Sequence, residues 1–310
     1  MTPTKPLDRA KALGAMMRIR AFETALASRP DHGFQLLSSG EEAVAVGVCS
    51  ALNETDDLLT GGRSIGPALA RGVDPGALMA ELLGRSAGTN GGRAGRGHLS
   101  DPRSGFFGAH AVVGGNISVA AGVALARKLS SSESVVVVMF GDGACGQGVL
   151  HETLNIAANW RLPLLFLCNN NGLSISTPYE AVLAPSRLSD LGATFGMPSQ
   201  TIDGLDVEEV AAVVASAVSA IRQGGGPAFI EARSIRLRSH STTSRETRTR
   251  EALRALEGRC PIEALAARMQ LSPAQVAEIR REAAAAAAAA IAVAEASAYP
   301  SPEELLANVG

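Results

Sequence analysis

Two uninterrupted apolar runs constrain the fold most tightly. Val135 to Phe140 reads VVVVMF and Leu162 to Cys168 reads LPLLFLC. Each is short, continuous and rich in β-branched or large aliphatic residues, the pattern of a parallel strand buried on both faces. Between them Val149, Leu150, Thr153, Leu154, Ile156, Ala157 and Trp160 recur at helical spacing. Strand, helix and strand in that order require a right-handed crossover. The consequence is geometric: Gly141 and Asn169, which end the two runs, emerge on the same edge of the sheet.

Further units extend this pattern. Val207 to Ile221 reads as a helix and Ala228 to Ala232 as a strand, while residues 8–28, the stretch after Gly40 (Glu41, Glu42 and a run of small apolar residues to Leu52) and Val112 to Lys128 read as helices. The fold class predicted is α/β, a three-layer α/β/α arrangement around a mainly parallel sheet. Residues 1–250 are read as the main domain and 251–310 as a C-terminal helical extension. The extension contains eight consecutive alanines, Ala283 to Ala290, which favour a helix by intrinsic propensity and predict a peripheral one. Two stretches read as loops. Gly84 to Gly108 is rich in Gly and Arg and is expected to cover a ligand; Arg233 to Arg250 is basic and rich in Ser and Thr, and is expected to be solvated and mobile.

Composition narrows the function. The 310 residues carry a formal net charge of -2, which excludes bulk attraction to a nucleic acid or an anionic membrane. Aromatics at 4% are too scarce for base-stacking platforms. No segment approaches the roughly 18 apolar residues of a membrane span, and Met1 to Arg9 lacks the apolar core of a signal peptide, so a cytoplasmic location is expected. Cys49, Cys145, Cys168 and Cys260 are widely spaced and read as reduced, buried thiols. Charged residues make up 19%, below the roughly 25% of an average domain, which points to a face covered by another subunit.

Directly after VVVVMF comes Gly141-Asp142-Gly143-Ala144-Cys145-Gly146. This matches the dinucleotide fingerprint GxGxxG. Such a site, however, needs an acidic residue at the end of the second strand, where Asn169, Asn170 and Asn171 stand, and Asp142 would repel a pyrophosphate. Both objections vanish if a divalent cation lies between carboxylate and phosphate. Magnesium commonly joins one carboxylate to phosphate oxygens, an asparagine amide from the second strand end could be a further ligand, and glycines permit close backbone approach.

GDG, the 26 residues Ala144 to Asn169, and then Asn170-Asn171 resemble the thiamine diphosphate signature. The stretch GDGACGQGVLHETLNIAANWRLPLLFLCNNNGLSISTP is similar to the alpha subunits of the decarboxylating component of 2-oxo acid dehydrogenase complexes, including pyruvate, branched-chain and acetoin dehydrogenases. The likeness extends over roughly residues 15–250, through GEEAVAVGVCSAL (Gly40 to Leu52), GGRAGRGH (Gly91 to His98), VVGGNISVAAGVALA (Val112 to Ala126) and RLRSHS (Arg236 to Ser241). At Gly40 it is most similar to acetoin dehydrogenase.

The resemblance implies a thiamine diphosphate-binding fold and, as cofactors, thiamine diphosphate and magnesium. It implies that Asp142, Asn171 and the carbonyl of Leu173 ligate magnesium. Gly143 and Ala144 would hold the diphosphate through amides, Arg63 through a charge-assisted bond, and Ala111 and Val113 the aminopyrimidine through backbone groups. His240 falls at the family's active-site histidine, and Ser241 at a position phosphorylated in some mitochondrial members. The family's partner is a separately encoded beta subunit that supplies the activating glutamate, in an α2β2 tetramer; a lipoyl acyltransferase is the further partner when a lipoyl domain accepts the acyl group.

Three departures touch the substrate end. Leu36 stands for a family histidine, Gly62 and Ile65 replace a Tyr or His and a second His beside Arg63, and Ser244 replaces the acid after Ser241. These changes predict a less polar pocket. His110, often Asn in the family, is expected to enter the active site and partly replace the lost histidines. The reading is the alpha subunit of a thiamine-dependent 2-oxo acid or acetoin dehydrogenase. Its alternatives are a thiamine-dependent acyltransferase or carboligase of a biosynthetic pathway, and a non-catalytic scaffold.

Overall fold

The computed structural model describes residues 6–306. In chain order the elements are α1 (Arg9–Ala27), α2 (Glu42–Ser50), β1 (Asp57–Gly61), α3 (Ile65–Arg71), α4 (Pro75–Leu82), β2 (Phe106–His110), α5 (Gly115–Leu129), β3 (Val136–Gly141) and α6 (Gly148–Asn159). They continue with β4 (Leu164–Asn170), the small hairpin β5 (Leu173–Ser174) and β6 (Thr177–Pro178), α7 (Asp190–Thr194), β7 (Ser199–Asp203), α8 (Val207–Ala220), β8 (Ala228–Arg233), α9 (Arg250–Glu257), α10 (Pro261–Arg268) and α11 (Pro273–Ala296). Six strands form one sheet in the order β2-β1-β3-β4-β8-β7, parallel throughout. Gly141 pairs in register with Asn169, so the two strand ends share an edge as expected.

Period-two geometry divides the core into layers. Val137 and Met139 of β3 and Leu165 and Leu167 of β4 face α2, α4 and α8, while Val136, Val138, Leu164 and Phe166 face α5 and α6. Both sheet faces are therefore dry, which is why these strands read as unbroken apolar runs. A third cluster joins α1 and α2 to α10 and the start of α11. Helix starts are fixed by side-chain caps: Asp8 accepts from the Lys11 amide, Asp206 from Glu208 and Glu209, and Ser272 forms a capping box with Gln275.

Three expectations change. β2 begins at Phe106, inside the stretch read as a loop, because Phe106 is buried against the sheet. The alanine-rich helix is not peripheral: α11 packs along α1 and α4, burying Ala283, Ala287, Ala290 and Ala294 on one stripe. Small side chains bring the helices together, and a Cβ on Gly76 of α4 would lie 2.9 Å from Val293. The basic stretch 233–250 is solvated only in part. Ser234, Ile235, Arg236 and Ser241 are buried, and Arg248 donates to the carbonyl oxygens of Arg236 and Arg238.

The small-residue run of α2 has the same logic, since a Cβ on Gly47 would lie 2.6 Å from Cγ1 of Val210 in α8. Overpacking such a contact costs about 1–3 kcal/mol. Gly47→Val should therefore lower the urea midpoint by that free energy with an unchanged slope. An unshifted midpoint would show that α2 and α8 are free to move apart.

Candidate active site

From β1 the chain crosses to β2 on one side and returns to β3 on the other. The crevice at such a switch point, beyond the carboxyl ends of the strands, is where open α/β sheets bind ligands. Here it holds a cavity of about 400 Å³ whose wall includes Arg63, Ala111, Val113, Asp142, Gly143, Ala144, Asn171, Leu173 and His240. Nine residues singled out from sequence thus meet around one space, although they come from four loops and a hairpin.

Asp142 opens the short turn after β3. Its residue is 1% exposed, and Oδ2 has no hydrogen-bond partner among the described residues. Burial pushes the carboxyl pKa upward, against the amides of Asp142 and Asn171 and the charges of Arg236 and Arg63. Such an oxygen needs a cation or a proton. Asn171, just past β4, donates from Nδ2 to Glu41 at 2.8 Å and accepts at Oδ1 from the Leu173 amide at 3.1 Å. Gly143 lies so close to the β5 hairpin that a Cβ would sit 2.6 Å from Oγ of Ser174.

Across the cavity, Arg63 donates to the carbonyls of Leu37 at 2.6 Å and His240 at 3.1 Å, and its Nε lies 3.4 Å from Glu41. Glu41 and Arg236 are functional candidates that sequence reasoning missed. Glu41 lines the cavity, buried, and also accepts from Asn169 at 2.6 Å. Arg236 is 4% exposed, with Nη1 unpartnered among the described residues; burial lowers its pKa to about 10, helped by Arg63 and Arg248. His240 Nδ1 is also buried without a partner among these residues. Burial, followed by the charges of Arg63, Arg236 and Arg96, pushes the imidazole down to about 4, so the ring is neutral at pH 7.

The Gly/Arg-rich loop reaches the cavity wall only through Arg96, and a single side chain holds the loop. Glu81 at the end of α4, fully buried, accepts backbone N–H bonds from Asn90, Gly92, Ala94 and Gly95 at 2.8–2.9 Å. This sets Arg96 on the cavity wall, where it donates to the Phe34 carbonyl at 3.2 Å. Two of the three departures also reach the wall. Leu36 and Gly62 line it, and a Cβ at Gly62 (φ +69°) would meet only Leu36, at 4.0 Å. Ile65 does not; it is fully buried in the core under α3, so its apolar character serves packing.

His110 is the predicted site residue that the structure keeps off the wall. Its ring packs on Gly115, where a Cβ would lie 2.6 Å from Nδ1, and Nδ1 accepts from the Val112 amide at 3.1 Å. It therefore braces the turn that carries Ala111 and Val113 and has no reach into the pocket as a substitute histidine. Ser241 is buried, its hydroxyl bonded to Ser244 at 2.6 Å. The four cysteines are buried and free.

Comparison with known proteins gives the family. The family described as the dehydrogenase E1 component matches residues 11–303. The chain belongs to that family. It is 40% identical to the alpha subunit of an acetoin:2,6-dichlorophenolindophenol oxidoreductase from Bacillus subtilis, over 73% of this chain and 69% of the relative. The Cupriavidus necator protein of the same name is 35% identical over 98% and 95% of the two chains. The alpha subunit of the pyruvate dehydrogenase E1 component from Zymomonas mobilis is 40% identical over 67% of this chain and 59% of its own length. Among the described residues no helix is long and apolar enough to cross a membrane.

The buried neutral imidazole has a pH signature. His240 titrates near 6.5 when unfolded and near about 4 when folded, so the unfolded chain binds the extra proton between those values. Stability linked to this ring is present above pH 6.5 and lost as pH falls toward 4. His240→Asn should flatten the decline of the thermal midpoint between pH 7 and pH 5; parallel declines in both proteins would refute the assignment.

Proposed function

We propose that this chain is the alpha subunit of a thiamine diphosphate- and magnesium-dependent dehydrogenase acting on a 2-oxo acid or acetoin. The observation that carries the reading is the buried, unpartnered Asp142 oxygen at the switch point, in a cavity whose wall also carries the cationic Arg63 and Arg96. A cation bridged to a diphosphate satisfies both ends at once. Among the described residues no three His, Cys, Asp or Glu side chains cluster as a metal site. One carboxylate, one amide and one carbonyl suit magnesium, which keeps its remaining sites for water and phosphate.

On this reading Asp142, Asn171 and the Leu173 carbonyl hold the ion. Gly143, Ala144 and Arg63 hold the diphosphate, joined by Arg236 through its free Nη1, and the backbone at Ala111 and Val113 holds the aminopyrimidine. When bound, thiamine diphosphate supplies a carbanion that adds to the donor carbonyl and an electron sink for the bond that then breaks. Neutral His240 accepts or donates a proton at the cavity wall, while Leu36 and Gly62 give the donor end an apolar surface. Residues 1–250 make up the cofactor domain, with the C-terminal helices as its extension. The partner is a separately encoded beta subunit in an α2β2 assembly, with a lipoyl acyltransferase taking the acyl group. The apolar donor end favours one second reading, transfer to a small-molecule acceptor in a carboligase.

Calorimetric titration of thiamine diphosphate into the coexpressed alpha and beta subunits, with and without magnesium, tests the proposal. Binding should require magnesium and should fall in Asp142→Ala by more than the roughly 10- to 100-fold that loss of an outer-shell partner costs. Turnover of a 2-oxo acid panel and acetoin with an artificial electron acceptor should fall with it. Magnesium-independent binding, or none, would exclude the reading. Acyl transfer to a lipoyl domain, against transfer to an aldehyde, separates the two acceptors.

A further inference from the structure

Glu41 has no role in the assignments above, yet its buried carboxylate touches both ends of the proposed cofactor site. Oε1 accepts from Nδ2 of Asn171 at 2.8 Å, Oε2 accepts from Nδ2 of Asn169 at 2.6 Å, and Nε of Arg63 lies 3.4 Å from Oε1. A carboxylate can only accept, whereas a carboxamide has a donor end and an acceptor end of nearly the same shape. Taking the N–H groups of both asparagines therefore fixes which end of each amide is oxygen. Asn169 Oδ1 is left to accept from the Ser234 hydroxyl at 2.6 Å. Asn171 Oδ1 accepts from the Leu173 amide and keeps a second lone pair.

We propose that Glu41 is a positioning residue for the cation: it locks the Asn171 amide with its oxygen as the ligand atom and ties that ligand to Arg63. The inference rests on the reading that Asn171 ligates magnesium. Glutamine at position 41 would keep the volume but could donate to an amide oxygen as readily as accept from an amide nitrogen, so the orientation would no longer be imposed. Conserving the orientation is what an outer partner does for a metal ligand.

The test uses the complex of alpha and beta subunits with saturating thiamine diphosphate, into which magnesium is titrated calorimetrically. E41Q should bind magnesium about 10- to 100-fold more weakly, while the thermal midpoint without metal stays at that of the unmodified complex. In N171D both candidate ligand atoms are oxygens and nothing remains to orient. Adding E41Q to N171D should then change magnesium affinity by less than about twofold, or strengthen it by removing a like charge. The same large loss in both backgrounds would overturn the proposal, as would unchanged magnesium affinity in E41Q or a fall of the metal-free midpoint large enough to explain the loss. Absence of magnesium-dependent binding in the unmodified complex is a separate outcome that removes the metal reading itself, and this proposal with it.

Discussion

Arg63, at the end of β1, donates to the carbonyl oxygens of Leu37 and His240 while its Nε lies 3.4 Å from Glu41. These partners come from the segment before α2 and from the stretch after β8, nearly two hundred residues apart in sequence. A planar guanidinium can bind three acceptors in fixed directions, which a lysine ammonium on a flexible stem cannot do. The cavity mouth therefore takes its shape from one side chain set by the sheet. Glu81, buried at the end of α4, plays a comparable part, its single carboxylate collecting four amides of a glycine-rich loop that has few side chains with which to pack.

The electrostatics follow from this arrangement. Arg63 and Arg96 line a space in which Asp142 and Glu41 are the buried acids, with Arg236 buried nearby. Burial and mutual repulsion lower the pKa values of Arg96 and Arg236 and keep His240 neutral, while burial raises those of Asp142 and Glu41. Each shift records a charged form short of compensation. The arginine end needs an anion and the Asp142 end needs a cation. A metal diphosphate carries both at the right order, and a bare nucleotide pyrophosphate would leave Asp142 facing like charge. On the proposed reading, the carboxylate of Asp142 between the glycines is what sets this turn apart from a dinucleotide fingerprint.

Legibility in the sequence tracks burial. β3, β4 and β8 could be read because strands dry on both faces are written as continuous apolar residues. β2 (FFGAH) lies at a sheet edge with only Phe106 of its residues buried, β7 (SQTID) lies at the other edge with Ile202 as its only apolar side chain, and β1 contributes only Leu58 and Leu59 to the core, so none left a periodic signal. Asp142 and Asn171, singled out by residue type and spacing, both line the cavity. Glu41 was hidden because acids beside Gly40 read as favourable charges in a first helical turn. Arg236 was hidden among neighbouring arginines, and only folding shows that it is buried while Arg238 is not. Ile65 erred the other way, since proximity to Arg63 in sequence does not make a side chain face the cavity.

The turn that carries Ala111 and Val113 belongs to the cavity wall, yet Val112 and Val113 are 63% and 59% exposed. Val119 of α5, Ile156 of α6 and Trp160 are exposed as well. Apolar surface gains roughly 25 cal/mol per Å² when it leaves water, so Val112 and Val113, exposed on the turn at the cavity wall, favour a second protein surface there. The low charged fraction of the chain has the same meaning. On the proposed reading, in which this turn offers its backbone to the cofactor and its side chains to a partner, cofactor binding and subunit association would be interdependent, since ordering the turn for one lowers the cost of the other.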